Sequence, residues 1–457
     1  MTASKLSTAQ LERNLRSFII FRLFYSARFY YPVFTVLFLD YGLTLEQFAI
    51  LNIVWALTIV LAEVPSGALA DIVGRKRLVV FAAIMMVLEL GLIVFSPIGA
   101  SPLLFPLFLA NRICSGLSEA AASGADEALA YDSLKALGRE DDWSRILQRT
   151  TQVVSIGFFI TMILGAFAYD PNIVNGLLAA IDSQWTLSNN LIIRLPVILT
   201  LITSFIVLVT ALGFHDIDVE GDESSDSQKP SEKSLLDPFR KIVVAGKWTI
   251  NHRFVLFVIL AALALDSVGR QFVVLASEYY RVIDIPVSWF GFIGAGMSLV
   301  GIVNAIFSRY LVTNHSPLFN FLTLSSLLMA GLIGLGFAIP YYGVIFAVGA
   351  FAMMGMVQFQ SSYYINKEVD SVHRATVLSF KGLALNLGLG FASLLYTGYV
   401  ALLRTQQEGI VPEAELRDVI FLDALRGFPI YFLGLFLIVL LLGRALIKPL
   451  SAVLSKR

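Results

Sequence analysis

Twelve stretches of about twenty mainly apolar residues punctuate this chain, and each is long enough to cross the hydrocarbon core of a bilayer. They run over 18–39, 47–70, 77–96, 102–123, 151–169, 191–213, 254–277, 287–308, 317–338, 343–364, 375–402 and 427–447. Hydrocarbon offers no partner to a backbone N–H or C=O, so spans of this length are helices. Composition agrees: 57% of the 457 residues are hydrophobic and 14% are charged, against about a quarter charged in a soluble domain. The fold expected is all-α, a polytopic membrane protein with twelve transmembrane helices.

Cations set the orientation. With the N-terminus in the cytoplasm, 23 of the 33 Lys and Arg fall on the inner side and five on the outer (Arg194, Arg281, Arg404, Arg417 and Arg426). That bias places both termini in the cytoplasm. Lys5, Arg13 and Arg16 precede the first run, which lacks a small-residue cleavage site and reads as a span, not a signal peptide. The net charge is zero, so no field points to nucleic acid. A lone cysteine, Cys114, excludes an internal disulfide framework. The four histidines form no metal-ligand cluster, and no cofactor is implied.

The helices divide six and six: 1–213, a linker 214–253, and 254–457. The linker is acidic and Ser-rich from His215 to Asp226, which reads as flexible. From Ser234 to Trp248 it alternates apolar and basic residues, a pattern for an amphipathic helix on the inner leaflet or a solvated linker helix. Both halves carry a long external loop before their last helix, 170–190 and 403–426, and both open their fifth helix with Arg-x-Thr, at Arg149 and Arg374. Two pseudo-symmetric six-helix bundles follow. Duplicated bundles point to alternating access around a site near the midplane.

The stretch Gly67-x3-Asp71-x2-Gly74-Arg75-Lys76 joins the second and third helices. A basic inner loop would explain the cations, but not the Gly and Asp spacing. Here the chain resembles the major facilitator superfamily, whose motif between these helices has this form; Ile72 stands where the family usually has Arg. The 6+6 layout extends the resemblance over nearly the whole chain. It implies that Asp71 and Arg75 latch the inner side, with Asp71 at the N-terminal end of the eleventh helix near 371–376. Arg112 and Gly116 resemble the fourth-helix Arg-x3-Gly of proton-coupled drug and metabolite exporters. The fifth helix offers only Gly157 and Gly165 where those exporters have a Gly-Pro motif.

Ionisable residues inside spans are expensive and mark function by default. Arg28, Arg112 and Asp266 lie near the middle of helices 1, 4 and 7, with Arg270 one turn after Asp266, and Gln358 lies in the inner half of helix 10. The resemblance makes these four the cavity helices. Arg28, Arg112, Gln358, Asp266 and Arg270 are therefore the candidate substrate-binding residues, though Asp266 and Arg270 read equally as a structural pair. Glu119 and Asp266 are the candidate proton carriers. Glu89, on helix 3, has no role in this reading. The gating set is Gly67, Asp71, Gly74, Arg75, Lys76, Asp132, Arg149, and a pair between Glu63 and Lys381, which share a depth.

A secondary transporter of a small organic solute follows, the deep arginines favouring an anionic or amphipathic one. Proton-coupled efflux is the first reading, proton-coupled uptake the alternative, and a non-transporting sensor a weaker one. An embedded enzyme would need a nucleophile with a His or acid partner, and no His lies mid-span. Partners expected are the solute, protons and the bilayer of the cytoplasmic membrane, with the chain a monomer.

Overall fold

The structure is a computed structural model that describes residues 6–180, 185–216, 237–369 and 371–446. Its described residues form helices and no strand. In order they are α1 (Thr8–Ser26), α2 (Phe34–Asp40), α3 (Leu45–Val73), α4 (Arg75–Val94), α5 (Leu104–Ala122), α6 (Ala125–Ala136), α7 (Trp143–Tyr169), α8 (Pro171–Ala180), α9 (Asn189–Ile192), α10 (Leu195–Leu212), α11 (Asp237–Asn251), α12 (Arg253–Val282), α13 (Val287–Asn314), α14 (Pro317–Gly336), α15 (Val344–Glu368), α16 (Ser371–Gln407) and α17 (Glu413–Leu446).

Among the described residues ten helices are long and apolar enough to cross a membrane. The first and fourth runs of the sequence are not among them, for reasons of composition. Asn111, Arg112 and Glu119 dilute the apolar content of α5. The first run is broken. Its helix stops at Ser26 and resumes at Phe34, with a 3-10 turn over Tyr31–Val33. Pro32 lies in that turn, where its ring and missing N–H oppose a continuous helix. Irregular backbone at membrane depth needs substitute partners. Phe29 N donates to Thr200 Oγ1 at 3.1 Å. Gly165 of α7 comes so close that a Cβ there would lie 1.8 Å from the Phe29 carbonyl oxygen. The fifth-helix glycine thus serves close packing against the break.

The long loop expected at 403–426 is absent. Here α16 runs to Gln407 and α17 begins at Glu413, leaving a five-residue turn around Gly409. Polar residues continue both helices past their apolar cores, with Glu413 and Glu415 in the first turn of α17, where the helix dipole favours them. The linker forms a helix at Asp237–Asn251, close to the stretch predicted from its alternation.

The chain makes two compact units. Unit 1 comprises 1–31, 58–97 and 106–240; unit 2 comprises 32–57, 98–105 and 241–457. This departs from a division in chain order in one respect: the segments Pro32–Leu57 and Ile98–Phe105 cluster with the C-terminal helices. Within unit 2, Thr35 N donates to Ser277 Oγ at 3.0 Å and Arg404 grips Glu46 through two bonds of 2.5 and 3.1 Å. Arg281 bridges Asp40 (2.6 Å) and the buried Glu278 (2.5 Å).

Candidate functional site

In unit 1 the helix break presents Arg28. Its guanidinium forms an ion pair with Glu89 of α4, and both side chains are almost wholly enclosed, at 4% and 1% exposure. Arg28 Nε also donates to the Tyr25 carbonyl at 3.3 Å, and the guanidinium lies 5.4 Å from the Tyr25 ring centre. Asn111 of α5 donates to the Glu89 carbonyl at 2.8 Å. Glu89, which had no role in the sequence reading, is therefore the counter-ion of Arg28. Burying that charge requires a partner, and the carboxylate supplies it. Arg112 is buried nearby, within electrostatic reach of Glu89, Tyr30 and Tyr31.

Beside this cluster lies a cavity of about 410 Å³, lined by Arg22 and Tyr25 of α1, Glu119 of α5, and Asp126 and Glu127 of α6. Arg22 binds Asp126 (2.5 Å) and Glu127 (2.6 Å). Tyr25 Oη and Ser118 Oγ share a 2.9 Å hydrogen bond, and Ser118 donates to the Ala82 carbonyl. Glu119 is exposed to the cavity and forms no ion pair among the described residues. Asp126 lies in α6, beyond the end of the spanning stretch; burial pushes its carboxyl up to about 6 while Arg22 pulls the other way. The wall carries three carboxylates against one arginine.

The turn after α3 is built on Gly74, whose φ of 100° suits a residue without a Cβ. Asp216, at the start of the linker, accepts from Lys76 N at 3.1 Å and so places a carboxylate at the N-terminus of α4. Arg75 forms an ion pair with Asp132 of α6 and donates to the Ala128 carbonyl at 3.0 Å. Arg149 is exposed and makes no ion pair among the described residues, so it does not join Asp132. The side chains of Gly67 and Asp71, and residues 371–376 expected to receive Asp71, lie outside the described side chains.

Unit 2 gathers four of the predicted residues into one network. Asp266, 1% exposed, pairs with Arg270 of the same helix and accepts from Gln358 Nε2 at 3.4 Å. Gln358 Oε1 accepts from Lys381 Nζ at 3.3 Å, and Ser361 Oγ accepts from the same amine at 3.5 Å. Arg270 extends to Asn386 Oδ1 (2.9 Å) and the Leu385 carbonyl (3.0 Å). Lys381 is thus engaged within its own unit, and Glu63 is half-buried in unit 1. Asn386 and Ser361 were not singled out by sequence; as neutral polar residues they carry no signal of their own.

A broken first helix, paired deep charges on the helices around it, and a second polar network on α12, α15 and α16 describe a transporter. The family profile described as Major Facilitator Superfamily matches residues 17–393. The chain belongs to the major facilitator superfamily. No curated protein matches the sequence. Among solved structures, this superfamily member is similar to the nucleoside transporter NupG (TM-score 0.72, 11% identity, covering 95% of this chain and 99% of that one). It is also similar to a bacterial homologue of the human lysosomal transporter Spinster, inward-facing and unoccupied (0.66, 15%, 97% and 99%). A third is a D-xylose-proton symporter (0.56, 11%, 93% and 96%). These likenesses show the fold, and membership of the superfamily makes the chain an integral membrane transporter.

Proposed function

We propose that this superfamily member is a proton-coupled secondary transporter that exports a small organic solute across the cytoplasmic membrane, with both termini inside. The observation that carries the coupling is Glu119: a carboxylate on a cavity wall with no ion pair among the described residues. Asp266, by contrast, is committed to Arg270 and Gln358. A carboxylate free of a fixed cation exchanges a proton without breaking a salt bridge. Glu119 also lies within electrostatic reach of Arg28, Glu89 and Arg22. Its protonation therefore changes the charge that a bound solute feels.

The acidic wall favours a solute bearing a cationic or hydrogen-bond-donating group on an apolar body. Such a group and a proton compete for Glu119, which is the logic of exchange. The discontinuous first helix supports a binding position beside Arg28, since broken helices commonly form transporter sites near the midplane. Gly74, Arg75, Lys76 and Asp132 form the inner latch in this reading. Proton-coupled uptake of an anionic solute is the second reading, favoured by Arg112 sharing Glu89 with Arg28.

Binding and transport in liposomes separate the two. Solutes identified by a thermal-shift panel are assayed against pH. Export by exchange requires that acid weakens binding and that Glu119→Gln abolishes dependence on the pH gradient. Binding that strengthens in acid selects uptake. Full gradient dependence in Glu119→Gln overturns the coupling role.

A further inference from the structure

A second cavity, of about 440 Å³, opens between α12, α16 and α17, within unit 2. Its size is that of a small-molecule site, for which about 300–1,000 Å³ is usual. Tyr396, Tyr399, Phe428 and Tyr431 wall it with aromatic rings, and Ile430, 75% exposed, stands at its mouth. Gly427 lets the wall close on itself: a Cβ there would lie 2.7 Å from the Tyr399 ring.

Gln271 and the hydroxyls of Tyr396, Tyr399 and Tyr431 are the polar groups of this wall. Gln271 of α12 is 3% exposed, and its Oε1 accepts from Ser393 Oγ at 2.6 Å. That bond fixes the amide, and its Nε2 donates to no group among the described residues. Tyr396 Oη, on the same wall, is buried and has no hydrogen-bond partner among the described residues, and a buried donor without an acceptor is unfavourable. The rest of the lining is apolar, which favours an occupant with a hydrocarbon body over ordered water. Both α16 and α17 contain stretches long and apolar enough to cross a membrane, and Ile430 falls within that of α17, so an apolar side chain at the mouth suits a lipid environment.

From this geometry we infer that the cavity between α12, α16 and α17 binds the acyl chain of an amphiphile, with an oxygen acceptor such as an ester carbonyl taking the Gln271 Nε2 hydrogen bond. The chain packs against the four rings, and the oxygen accepts from Gln271 on the cavity wall. A phospholipid of the bilayer and a free long-chain acid share this chemistry. Asp266 and Arg270 belong to the same stretch of α12 as Gln271, so the ligand braces the helix that carries the unit 2 network.

The test uses the full chain in nanodiscs of phosphatidylethanolamine and phosphatidylglycerol. One arm contains a phospholipid whose acyl chain carries a photoreactive diazirine. The other contains a free palmitic acid with the same group. After irradiation, labelled peptides are mapped by mass spectrometry. Labelling enriched at 392–399 and 427–431 over the lipid-facing residues of α13 supports the site, and the arm that gives it identifies the source. Ile430→Trp, which blocks the mouth from a position outside the packed core, removes the enrichment. Gln271→Met lowers it about tenfold, the equivalent of ~1.4 kcal/mol for one anchoring hydrogen bond. Even labelling of α13, α16 and α17, or enrichment unchanged in Ile430→Trp or Gln271→Met variants that unfold at the wild-type temperature, overturns the inference.

Discussion

The two units bury charge in opposite ways. In unit 1 Arg28 and Glu89 come from different helices, meet at a break in the backbone, and depend chiefly on each other. In unit 2 Asp266 and Arg270 share one unbroken helix, and four further groups from α15 and α16 divide their charge: Gln358 and Lys381 on one side, Asn386 and the Leu385 carbonyl on the other. The same habit recurs nearby, where Glu278 lies between Arg281 (2.5 Å) and Arg417 (3.4 Å). A pair with one strong partner each is brittle. A network with several partners can lose a member and rearrange. Unit 1 therefore holds a fixed electrostatic point, and unit 2 holds one suited to alternative arrangements.

The largest expected effect tests the brittle side. Glu89→Leu leaves Arg28 charged and enclosed, which costs about 3–5 kcal/mol of stability. Thermal or urea unfolding in detergent measures it. Adding Arg28→Met restores most of the loss, because replacing a whole buried pair by apolar groups is often neutral. A single variant as stable as the wild type would remove the distinction between the units. Next comes Asp266→Asn. Arg270 keeps Asn386 and the Leu385 carbonyl, and its own side chain is 21% exposed. The expected loss is about 1.5–3 kcal/mol, that of a hydrogen bond to a charged group. A loss larger than that of Glu89→Leu would break the comparison.

Much of this architecture was legible in the chain. The run at 287–308 became Val287–Asn314 and the run at 317–338 became Pro317–Gly336, because an apolar stretch of spanning length has one solution in hydrocarbon. The structure brings Asp266, Arg270 and Gln358 together in one network, and their depth along their spans is readable from residue number. The Arg28–Glu89 pair was within reach of the same arithmetic. Arg28 is ten residues into its run, about 15 Å, and Glu89 twelve residues into its run, about 18 Å, at 1.5 Å per residue. Depth says nothing of azimuth, however, and whether helix 3 turns Glu89 toward helix 1 is decided by packing. The break after Ser26 was hidden because Tyr30, Tyr31 and Val33 read as apolar; Pro32 was its one signal. The linker's Asp216 was unreadable for another reason. A carboxylate about 140 residues from the helix it caps leaves no local pattern.

A smaller effect lies at the ends of α3 and α16. Arg404 and Glu46 make two bonds, and their side chains are 34% and 16% exposed. Partly exposed pairs contribute about 0.2–1 kcal/mol. Arg404→Gln should lower stability by that amount, and by less in high salt, which screens such pairs. Equal losses at low and high salt would show that the pair is sheltered like Arg28–Glu89, and would blur the contrast between the units' charges.

The smallest effect concerns pH at the edge of unit 1. Asn14 pins His215 through its backbone, accepting from its N–H and donating to its carbonyl, both at 2.9 Å. Partial burial, and then the nearby Arg13 and Lys76, hold the imidazole below its usual value near 6.5. The folded state therefore favours neutral His215 more than the unfolded state does. The associated stability is complete above about pH 6.5 and is lost as the pH falls below it. Partial exposure to solvent keeps the loss small. Unfolding of wild type and His215→Gln, compared at pH 7.5 and 5.5, reads it directly: only the wild type carries this acid-sensitive component. Arg13→Gln should reduce it, because one of the two nearby cations is gone. A wild-type protein that gains stability relative to His215→Gln in acid would mean that His215 has found an anionic partner. The edge of unit 1 would then satisfy its charges as its centre does, one partner to one charge.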